Sequence, residues 1–511
     1  MVSKVFSSGI TGIDGFKVDV ECSVNSGLSS VEIVGLPDAS VKEARERVLS
    51  AISSVGFDFP LGKVTVNLAP GNIRKEGSGF DLAIALSILI CAGVILQNST
   101  DGYMFFGELS LDGSLRPLPG ILPMVIAARE LGFSKVILPA ECAKEASVVK
   151  DVTVYGAESL HDIFLHLTGE KEIVPFSIND TDYFGGDINY SMDFADVKGQ
   201  ETVKRGLEIA AAGGHNIIMA GPPGSGKTML ARSMPSILPS MTFEEALEVT
   251  KIHSIAGCLP KDTPFMTSRP FRAPHHSMSP VSLTGGGRIP KPGEVSLAHN
   301  GVLFLDEFPE FSRSALEILR QPLEDAEVTV SRVNATVTYP SNFILIAAMN
   351  PCPCGYFGDP KGQCTCSLQQ ISRYLGKISG PLLDRIDIQI NVEPVEYEKL
   401  ADSKPAESSA EIRKRVNAAR KRQLLRYKDE GIYCNSDLSS EQLKRLCPLG
   451  DTEQRILEAA YKKFGLSARA YTRIIKVART IADLAGDDDI NYTHIAEAIN
   501  YRSLDKTLTH M

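Results

Sequence analysis

Residues 216–234 contain a spacing of glycine, lysine and threonine that is typical of phosphate binding. The apolar run NIIMA precedes the pattern G-x-x-x-x-G-K-T, and a helix-forming run follows it. The glycines let backbone N–H groups turn towards phosphate oxygens, the lysine reaches the β- and γ-phosphates, and the threonine hydroxyl binds Mg²⁺. The alternative is an ordinary Gly/Pro turn, which does not require a strand before it and a helix after it. The residues predicted to bind ATP are Gly221, Pro222, Pro223, Gly224, Ser225, Gly226, Lys227 and Thr228.

Two further apolar runs end in polar side chains that suit triphosphate hydrolysis. The run GVLFLDE ends in Asp306 and Glu307, and the run FILIAAMN ends in Asn350. We expect Asp306 to hold Mg²⁺ through water and Glu307 to orient and deprotonate the attacking water. Asn350 could position the same water. Acids often end strands for other reasons, but downstream of a phosphate loop they favour an ATPase.

Two arginines complete this set of candidate catalytic residues. Arg385 directly precedes a strand-like run, and Arg469 opens an amphipathic helix. A guanidinium near the γ-phosphate stabilises charge in the transition state, and a neighbouring subunit often donates it. Either arginine alone could instead form a surface ion pair. Together with the other motifs, both are assigned to catalysis.

The elements that must position these residues follow from composition. A chain of 511 residues with 43% hydrophobic content predicts about three domains with full cores. Strand-like and helical runs alternate in residues 193–400, which predicts a parallel sheet. We expect a first α/β domain over 1–168, a linker over 169–192 and a helical domain over 401–511.

Charge and hydropathy limit the partners and the location. The net charge is −9, so bulk basicity cannot carry nucleic-acid binding and local patches must do so. The first residues lack the pattern of a signal peptide, and the apolar stretch 82–95 is too short to span a membrane. These features predict a cytoplasmic protein without membrane contact.

Four cysteines in the loop 351–367 have the spacing C-x-C-x₉-C-x-C. They are Cys352, Cys354, Cys364 and Cys366. Four thiolates on two short arms can close a tetrahedral Zn²⁺ site, although zinc sites usually have C-x₂-C pairs. The alternative is a loop with four reduced thiols. A bound zinc would brace this loop rather than do chemistry.

Basic side chains in segments 267–291 and 327–338 are candidates for DNA contact. Basic residues on Gly-rich loops or at a hairpin turn suit contacts with DNA phosphates that form and break during each cycle of ATP hydrolysis. A solvated loop is the alternative for each of them. We expect His275 and His276 to pack or hydrogen-bond rather than bind metal. The DNA-contact candidates are Arg269, Arg272, Arg288, Lys291 and Arg332.

These motifs together resemble the AAA+ ATPases, in the branch of magnesium-chelatase motor subunits and MCM helicases. The segments FRAPHHSMSPVSLTGGG, MNPCPCG and SGPLLDRIDI are more specific, and over the whole chain they resemble the ComM/YifB family of magnesium chelatase-like proteins. The resemblance implies a Walker A loop at 221–228, a Walker B pair at Asp306 and Glu307, and sensor 1 at Asn350. It also implies a trans-acting finger at Arg385 and sensor 2 at Arg469.

The same resemblance implies a function. It predicts a hexameric ATP hydrolase that uses ATP and Mg²⁺ to move on single-stranded or branched DNA. The expected role is a branch-migration helicase in natural transformation and homologous recombination. A magnesium-chelatase-type motor acting through a partner subunit is the alternative, although that motor lacks a Lon-like first domain and the cysteine loop. The intact phosphate site disfavours a non-catalytic scaffold.

Residues 70–89 and 107–141 resemble the Lon-protease domain, an S5-like fold. Laying Lys75 on the first family motif places Gly79 where the nucleophilic serine belongs, and Leu122 takes the place of the catalytic lysine. A Ser–Lys dyad needs a hydroxyl and a desolvated amine, and neither position offers one. Ser78 lies one position away without a recognisable base. We therefore expect a catalytically dead domain with a structural or DNA-handling role.

Overall fold

The computed structural model describes residues 2–177, 190–260, 265–287, 290–332, 335–358, 363–395 and 406–502. The chain divides into two compact units. The first contains residues 1–186 and 246–266, and the second contains residues 187–245 and 267–511.

The compact units group the chain differently from the domains expected from the sequence. The C-terminal helical segment does not separate from the segment that contains the parallel sheet, because its helices share one apolar core with that sheet. Residues 246–266 belong with the first unit, where Ser254 donates a hydrogen bond of 2.5 Å to Glu145. The expected boundaries at 168, 192 and 400 stay predictions.

The first unit combines a four-stranded sheet, a three-stranded parallel sheet and a short two-stranded sheet with helices. The four-stranded sheet has the order β1-β2-β4-β3, in which β3 and β4 are parallel and the other pairs are antiparallel. The strands are β1 (Val2–Thr11), β2 (Asp14–Asn25), β3 (Ser30–Val34), β4 (Lys63–Ala69), β5 (Tyr103–Phe105), β6 (Glu108–Leu109), β7 (Leu115–Arg116), β8 (Lys135–Pro139) and β9 (Thr153–Ala157). The helices are α1 (Ala39–Ser54), α2 (Asp81–Cys91), α3 (Ile121–Glu130), α4 (Ala143–Ala146) and α5 (Leu160–Thr168).

Helix α2 forms the centre of this unit. Every one of its residues is buried, which suits its largely apolar sequence DLAIALSILIC. Its buried Asp81 accepts hydrogen bonds of 2.6 and 3.0 Å from Arg47, so this carboxylate has a cationic partner.

The second unit is built on a five-stranded parallel sheet. Its strands are β10 (Ile217–Ala220), β11 (Phe271–Arg272), β14 (Val302–Leu305), β17 (Ile344–Met349) and β18 (Ile388–Asn391), and the short pairs are β12 (Gly285–Gly286) with β13 (Lys291–Pro292) and β15 (Glu327–Arg332) with β16 (Ala335–Pro340). The helices are α6 (Glu201–Gly213), α7 (Lys227–Ser233), α8 (Phe243–Ala256, continuing into the first unit), α9 (Pro280–Thr284), α10 (Glu294–Leu297), α11 (Arg313–Ile318), α12 (Pro322–Asp325), α13 (Leu368–Leu375), α14 (Gly380–Leu383), α15 (Ser409–Arg426), α16 (Ser440–Leu446), α17 (Asp451–Phe464), α18 (Ala468–Ala485) and α19 (Tyr492–Asn500).

The order of this sheet, β11-β14-β17-β10-β18, determines where a ligand can bind. All of its strand pairs are parallel. Strands β10 and β14 are buried along their whole length, as expected for strands covered on both faces. Because the strands run in one direction, the residues that follow β10, β14 and β17 meet at one edge. In such sheets, ligands bind beyond the carboxyl ends of the strands.

A buried ionic cluster joins the sheet to helix α18. The imidazole of His215 lies 3.1 Å from Asp387 and 2.7 Å from the Thr480 hydroxyl, and Arg473 is also paired with Asp387. Burial alone would raise the pKa of Asp387, but Arg473 and His215 outweigh it and hold this pKa below its usual range. The cluster therefore fixes α18 against the strand β18.

Within the described ranges, no helix is both long and apolar enough to cross a membrane.

We expect Asp387→Ala to lower the free energy of unfolding by about 3 kcal/mol, because removing one member of a buried pair leaves its partner uncompensated. Asp488→Ala is the matched control. The Asp488 side chain is 95% exposed in its pair with Arg422, so its loss should leave the thermal midpoint unchanged. Thermal unfolding followed by circular dichroism measures both changes. Equal midpoints for Asp387→Ala and the control would contradict the assignment.

The same cluster gives this stability a defined pH dependence. The folded-state pKa of Asp387 lies below its unfolded value of about 3.9. Its contribution is therefore complete above about pH 4 and is lost as the pH falls through the folded-state pKa. The difference in stability between the wild type and Asp387→Asn should be full at neutral pH and shrink only in strong acid.

Candidate nucleotide-binding site

A pocket of about 380 Å³ lies at the carboxyl edge of the parallel sheet. Its walls come from the loop after β10 and from the residues that follow β14 and β17. The lining residues are 223–229, Asp306, Glu307, Met349 and Asn350. Residues predicted from three separate sequence motifs therefore share one pocket.

The phosphate loop needs glycine at particular positions. Gly226 has a φ of +87°, in the left-handed region that other residues rarely adopt. At Gly221 the constraint is space, because a Cβ would lie 2.3 Å from the carbonyl oxygen of Val392 on the neighbouring chain segment. Gly221 also donates a backbone hydrogen bond of 3.1 Å to Met349, which ties the start of the loop to the end of β17.

Lys227 projects its ammonium group into this loop. Its Nζ donates to the carbonyl oxygens of Gly221 at 2.7 Å and Pro222 at 2.8 Å, and it lies 3.3 Å from Oδ1 of Asn350. The residue is 8% exposed. Burial lowers the pKa of Lys227, while the charge of Asp306 acts in the opposite direction. The pocket thus holds a largely buried cation whose hydrogen bonds go to neutral oxygens, and these weak partners can be exchanged for phosphate.

The two predicted Mg²⁺ ligands lie in contact. The Thr228 hydroxyl donates a hydrogen bond of 2.8 Å to Oδ2 of Asp306. Thr228 comes from the first turn of α7 and Asp306 from the end of β14. Mg²⁺ prefers small hard oxygen donors of this kind and keeps several waters, so the pair fits this ion.

Glu307 adopts an uncommon backbone conformation beside this pair. Its φ is +51°, in the left-handed region, where a residue with a side chain is strained by about 1 kcal/mol. Its carboxylate lies 2.9 Å from Nδ1 of His276. His276 in turn packs on the ring of His275, with centroids 4.1 Å apart. The expectation that these histidines pack or hydrogen-bond is confirmed, but the pairing of His276 with Glu307 could not be predicted from the sequence.

Arg385 is placed away from the pocket of its own chain. It is 7% exposed, it donates a hydrogen bond of 2.7 Å to Pro381, and its guanidinium is paired with Glu324. Burial lowers the pKa of Arg385, and the charges of Arg320 and Arg469 act in the same direction. Within the described part of the chain, Arg385 is absent from the residues that line the pocket.

Arg469 lies on the same side of the unit as Arg385. Its side chain is 58% exposed, and Nη1 lies 3.9 Å from Asp384, the residue before Arg385. Of the described residues, those lining the pocket do not include Arg469 either. The two predicted catalytic arginines therefore lie close to each other rather than beside Lys227.

Two of the DNA-contact candidates are already paired with acids. Arg269 is mostly buried, bonds to Glu245 at 2.9 Å and donates to the carbonyl of Asn300 at 2.7 Å. Arg272 makes a two-point contact with Glu294 at 2.6 and 2.7 Å. Such pairs satisfy the guanidinium groups inside the unit. Their position does not support a role in phosphate contact.

Two of the other three candidates for DNA contact lie on short hairpins. Lys291 is exposed and begins β13. Arg332 ends β15 at the turn of the β15–β16 hairpin, and its side chain lies outside what the structure describes. Arg288 also lies outside the described residues.

The four predicted metal-binding cysteines converge. Their Sγ atoms all lie within 4.8 Å of one another, with 3.3 Å between Cys352 and Cys354 and 3.7 Å between Cys354 and Cys364. Tetrahedral zinc with Zn–S bonds of about 2.3 Å places sulfurs about 3.8 Å apart. Backbone N–H groups also point at the sulfurs, since Phe357 donates to Cys352 at 3.3 Å. This arrangement is compatible with a tetrahedral thiolate site.

The first unit contains a buried amine that sequence reasoning missed. Lys75 is fully buried, which lowers its pKa, and its Nζ donates to the carbonyl oxygens of Ile73, at 2.9 Å, and Pro70. The Ser78 hydroxyl donates instead to the carboxylate of Glu108. The amine is occupied by carbonyl groups, and the serine is paired with an acid.

Comparison with known families matches most of the chain. Residues 193–400 match a family described as magnesium chelatase, subunit ChlI. Residues 20–142 match one described as subunit ChlI of Mg-chelatase, and residues 406–502 match its C-terminal family.

Similar full-length proteins are also known. The competence protein ComM of Haemophilus influenzae is 42% identical, with 99% of this chain and 98% of that protein covered. The protein YifB of Escherichia coli is 41% identical, with 100% and 99% covered. The magnesium-chelatase 67 kDa subunit of Chlorobaculum tepidum is 26% identical over 208 residues, which cover 40% of this chain and 27% of that protein.

These matches, together with the pocket at the sheet edge, make the chain an AAA+ ATPase of the magnesium-chelatase type. Within that class, it belongs to the ComM/YifB family.

We expect Lys227→Ala to weaken ATP binding by about 10- to 100-fold, because a hydrogen bond to a charged group contributes about 1.5–3 kcal/mol. Titration with a fluorescent ATP analogue measures this loss. Lys462→Ala is the control, since Lys462 is 74% exposed and paired with Glu458 one helical turn away. Unchanged affinity in Lys227→Ala would show that the pocket does not bind the triphosphate.

Proposed function

We propose that this protein is a hexameric motor that couples ATP hydrolysis to movement on branched DNA. The observation that carries the proposal is the convergence of Lys227, Asp306, Glu307 and Asn350 on one pocket at the sheet edge. Full-length similarity to a protein named for competence supports a role in the uptake or recombination of DNA. Branch migration during natural transformation is the specific activity we propose. A cytoplasmic location follows from this role.

In the proposed reaction, each pocket residue has one task. The Lys227 ammonium exchanges its carbonyl partners for phosphate oxygens. Thr228 and Asp306 would hold Mg²⁺, which neutralises phosphate charge. Glu307 takes the proton of the attacking water, and the Asn350 amide orients that water. The left-handed backbone at Glu307 fixes the direction of its side chain at the strand end.

The two arginines are proposed to act on the nucleotide of a neighbouring subunit. Arg385 and Arg469 lie near each other, and neither lines the pocket of its own chain among the described residues. A guanidinium supplied by a partner can stabilise transition-state charge as well as one supplied in cis. In this arrangement Arg385 would leave Glu324 when the neighbour's triphosphate is bound. Hydrolysis would then require the assembled hexamer, because each nucleotide needs an arginine from the neighbouring subunit.

DNA contact is proposed for the hairpin residues Lys291 and Arg332 together with Arg288. Lys291 is exposed, and hairpin tips can approach a phosphate backbone without rearranging the core. We assign Arg269 and Arg272 a structural role instead, because both are bound to acids within the unit.

The first unit is proposed to be a non-proteolytic domain. A Ser–Lys mechanism needs a neutral amine beside the serine, but the Lys75 ammonium is held by two carbonyls and Ser78 by Glu108. This arrangement supports a structural or DNA-handling role.

We also propose that the four clustered cysteines bind one Zn²⁺. The S–S distances fit a tetrahedral ion, and backbone N–H groups that point at thiolates stabilise their charge. The hydrogen bonds from the backbone of Tyr356 and Thr365 lower the pKa of the Cys354 thiol to about 6.

A magnesium-chelatase-type motor acting through a partner subunit is the second candidate. The matches to subunit ChlI favour it, and one of them covers residues 20–142 of the first unit. This part of the chain therefore does not argue against a chelatase, contrary to the expectation from the sequence. The similarity to a chelatase subunit nevertheless covers only 40% of this chain, whereas the ComM and YifB proteins match it throughout. The full-length likeness favours the DNA motor.

We expect the ATPase rate of the wild-type protein to rise when single-stranded or four-way-junction DNA is added. Glu307→Gln should bind ATP normally and lower kcat by about 10²- to 10⁴-fold, since it removes a general base. Steady-state hydrolysis with and without each DNA measures both effects. Glu310→Gln is the control, because Glu310 pairs with Lys377 at the surface. An ATPase rate that ignores every DNA tested would contradict the motor and favour the chelatase-type alternative.

We expect purified protein to contain about one equivalent of zinc per chain, because four thiolates complete one tetrahedral site. Replacing Cys364 by Ser should abolish this zinc, whereas Cys258→Ser, a change at an exposed cysteine outside the cluster, should not. Elemental analysis of the desalted proteins gives the answer. Zinc below about a tenth of an equivalent would exclude the site.

A further inference from the structure

The cysteine loop and the nucleotide pocket share a single chain segment. Asn350 directly follows β17, and its side-chain oxygen accepts a hydrogen bond from Lys227. Cys352 follows two residues later and is fully buried. A ligand that fixes the position of Cys352 therefore acts two residues away from Asn350, whose side chain lines the pocket.

The loop also contacts the phosphate loop directly. Gly355 has a φ of +89° and packs against the ring of Pro223, so that a Cβ would lie 2.5 Å from Cδ of Pro223 and 3.8 Å from Cγ of Asn350. Only a glycine allows this approach. The turn after Cys354 thus lies directly against the wall of the nucleotide pocket.

The outgoing arm of the loop returns to the same place. Cys366 is followed by the N-cap Ser367 of helix α13, whose capping box fixes where that helix starts. Near its end, the hydroxyl of the buried Tyr374 lies beside the backbone of Asn350. The chain therefore runs from Asn350 through the four cysteines to α13 and back to Asn350.

We propose that a metal ion in the cysteine site joins the two arms of the cysteine loop. The joined loop then holds Asn350 and Pro223 in the conformation that binds ATP. The inference rests on the proposed ATP site and the proposed zinc site and adds a regulatory link between them. Without the ion, the two arms of the loop are joined by thiol contacts alone, and the arms separate at the cysteines. Nucleotide affinity should then depend on zinc, although no cysteine touches the nucleotide.

The test is to remove zinc from the wild-type protein with a zinc-selective chelator in the presence of excess Mg²⁺. The dissociation constant for a fluorescent ATP analogue is then measured before removal, after removal and after zinc is restored. We expect affinity to fall by about tenfold and to recover, as is typical when support around a site is lost. Equal affinity with and without zinc would overturn the proposal.

Two glycine variants test the contact itself without touching a metal ligand. Gly355→Ala should keep zinc but bind the analogue more weakly, because its Cβ meets Pro223. Gly358→Ala carries the same backbone cost at a φ of +82°, yet its Cβ meets nothing within 4 Å, so affinity should be retained. Equal affinities in the two variants would contradict the link.

These results distinguish failure of the proposed function from failure of the link between zinc and nucleotide binding. If zinc-loaded wild-type protein binds no ATP, the proposed function itself fails. If it binds and hydrolyses ATP equally well with and without zinc, only the link fails.

Discussion

The buried ammonium of Lys227 is the constraint on which the rest of the site depends. A cation that is 8% exposed needs oxygen partners, and here two carbonyls and an amide supply them. These neutral groups stabilise it less than an anion would. The pocket is therefore built to accept phosphate, and the loop glycines, the end of β14 and the end of β17 are arranged around that requirement.

The parallel sheet makes this arrangement possible. Its order places β10 between β17 and β18, so that residues far apart in sequence meet at one edge. The C-terminal helices complete the unit through the buried cluster of Asp387, His215 and Arg473, which ties α18 to the strand that follows Arg385. The two arginines proposed to be catalytic lie on this part of the unit and, among the described residues, do not line the pocket of their own chain.

Local motifs could be predicted from the sequence, whereas long-range pairing could not. The phosphate loop, the strand ends and the cysteine cluster are encoded within short segments, and the C-terminal helices follow from apolar periodicity. The hairpin of β1 and β2 could not be predicted from apolar alternation, because Ser3, Ser7 and Ser8 occupy buried positions. The acids that neutralise Arg269 and Arg272 lie 24 and 22 residues away, and only the folded chain brings them together.

The most direct measurement is a structure of the assembled protein with a non-hydrolysable ATP analogue and Mg²⁺. We expect Lys227 Nζ within about 3 Å of a phosphate oxygen and Glu307 facing the γ-phosphate. We also expect Arg385 of the adjacent subunit to lie close to that phosphate. A nucleotide bound elsewhere, or a pocket left empty at saturating analogue, would contradict these expectations.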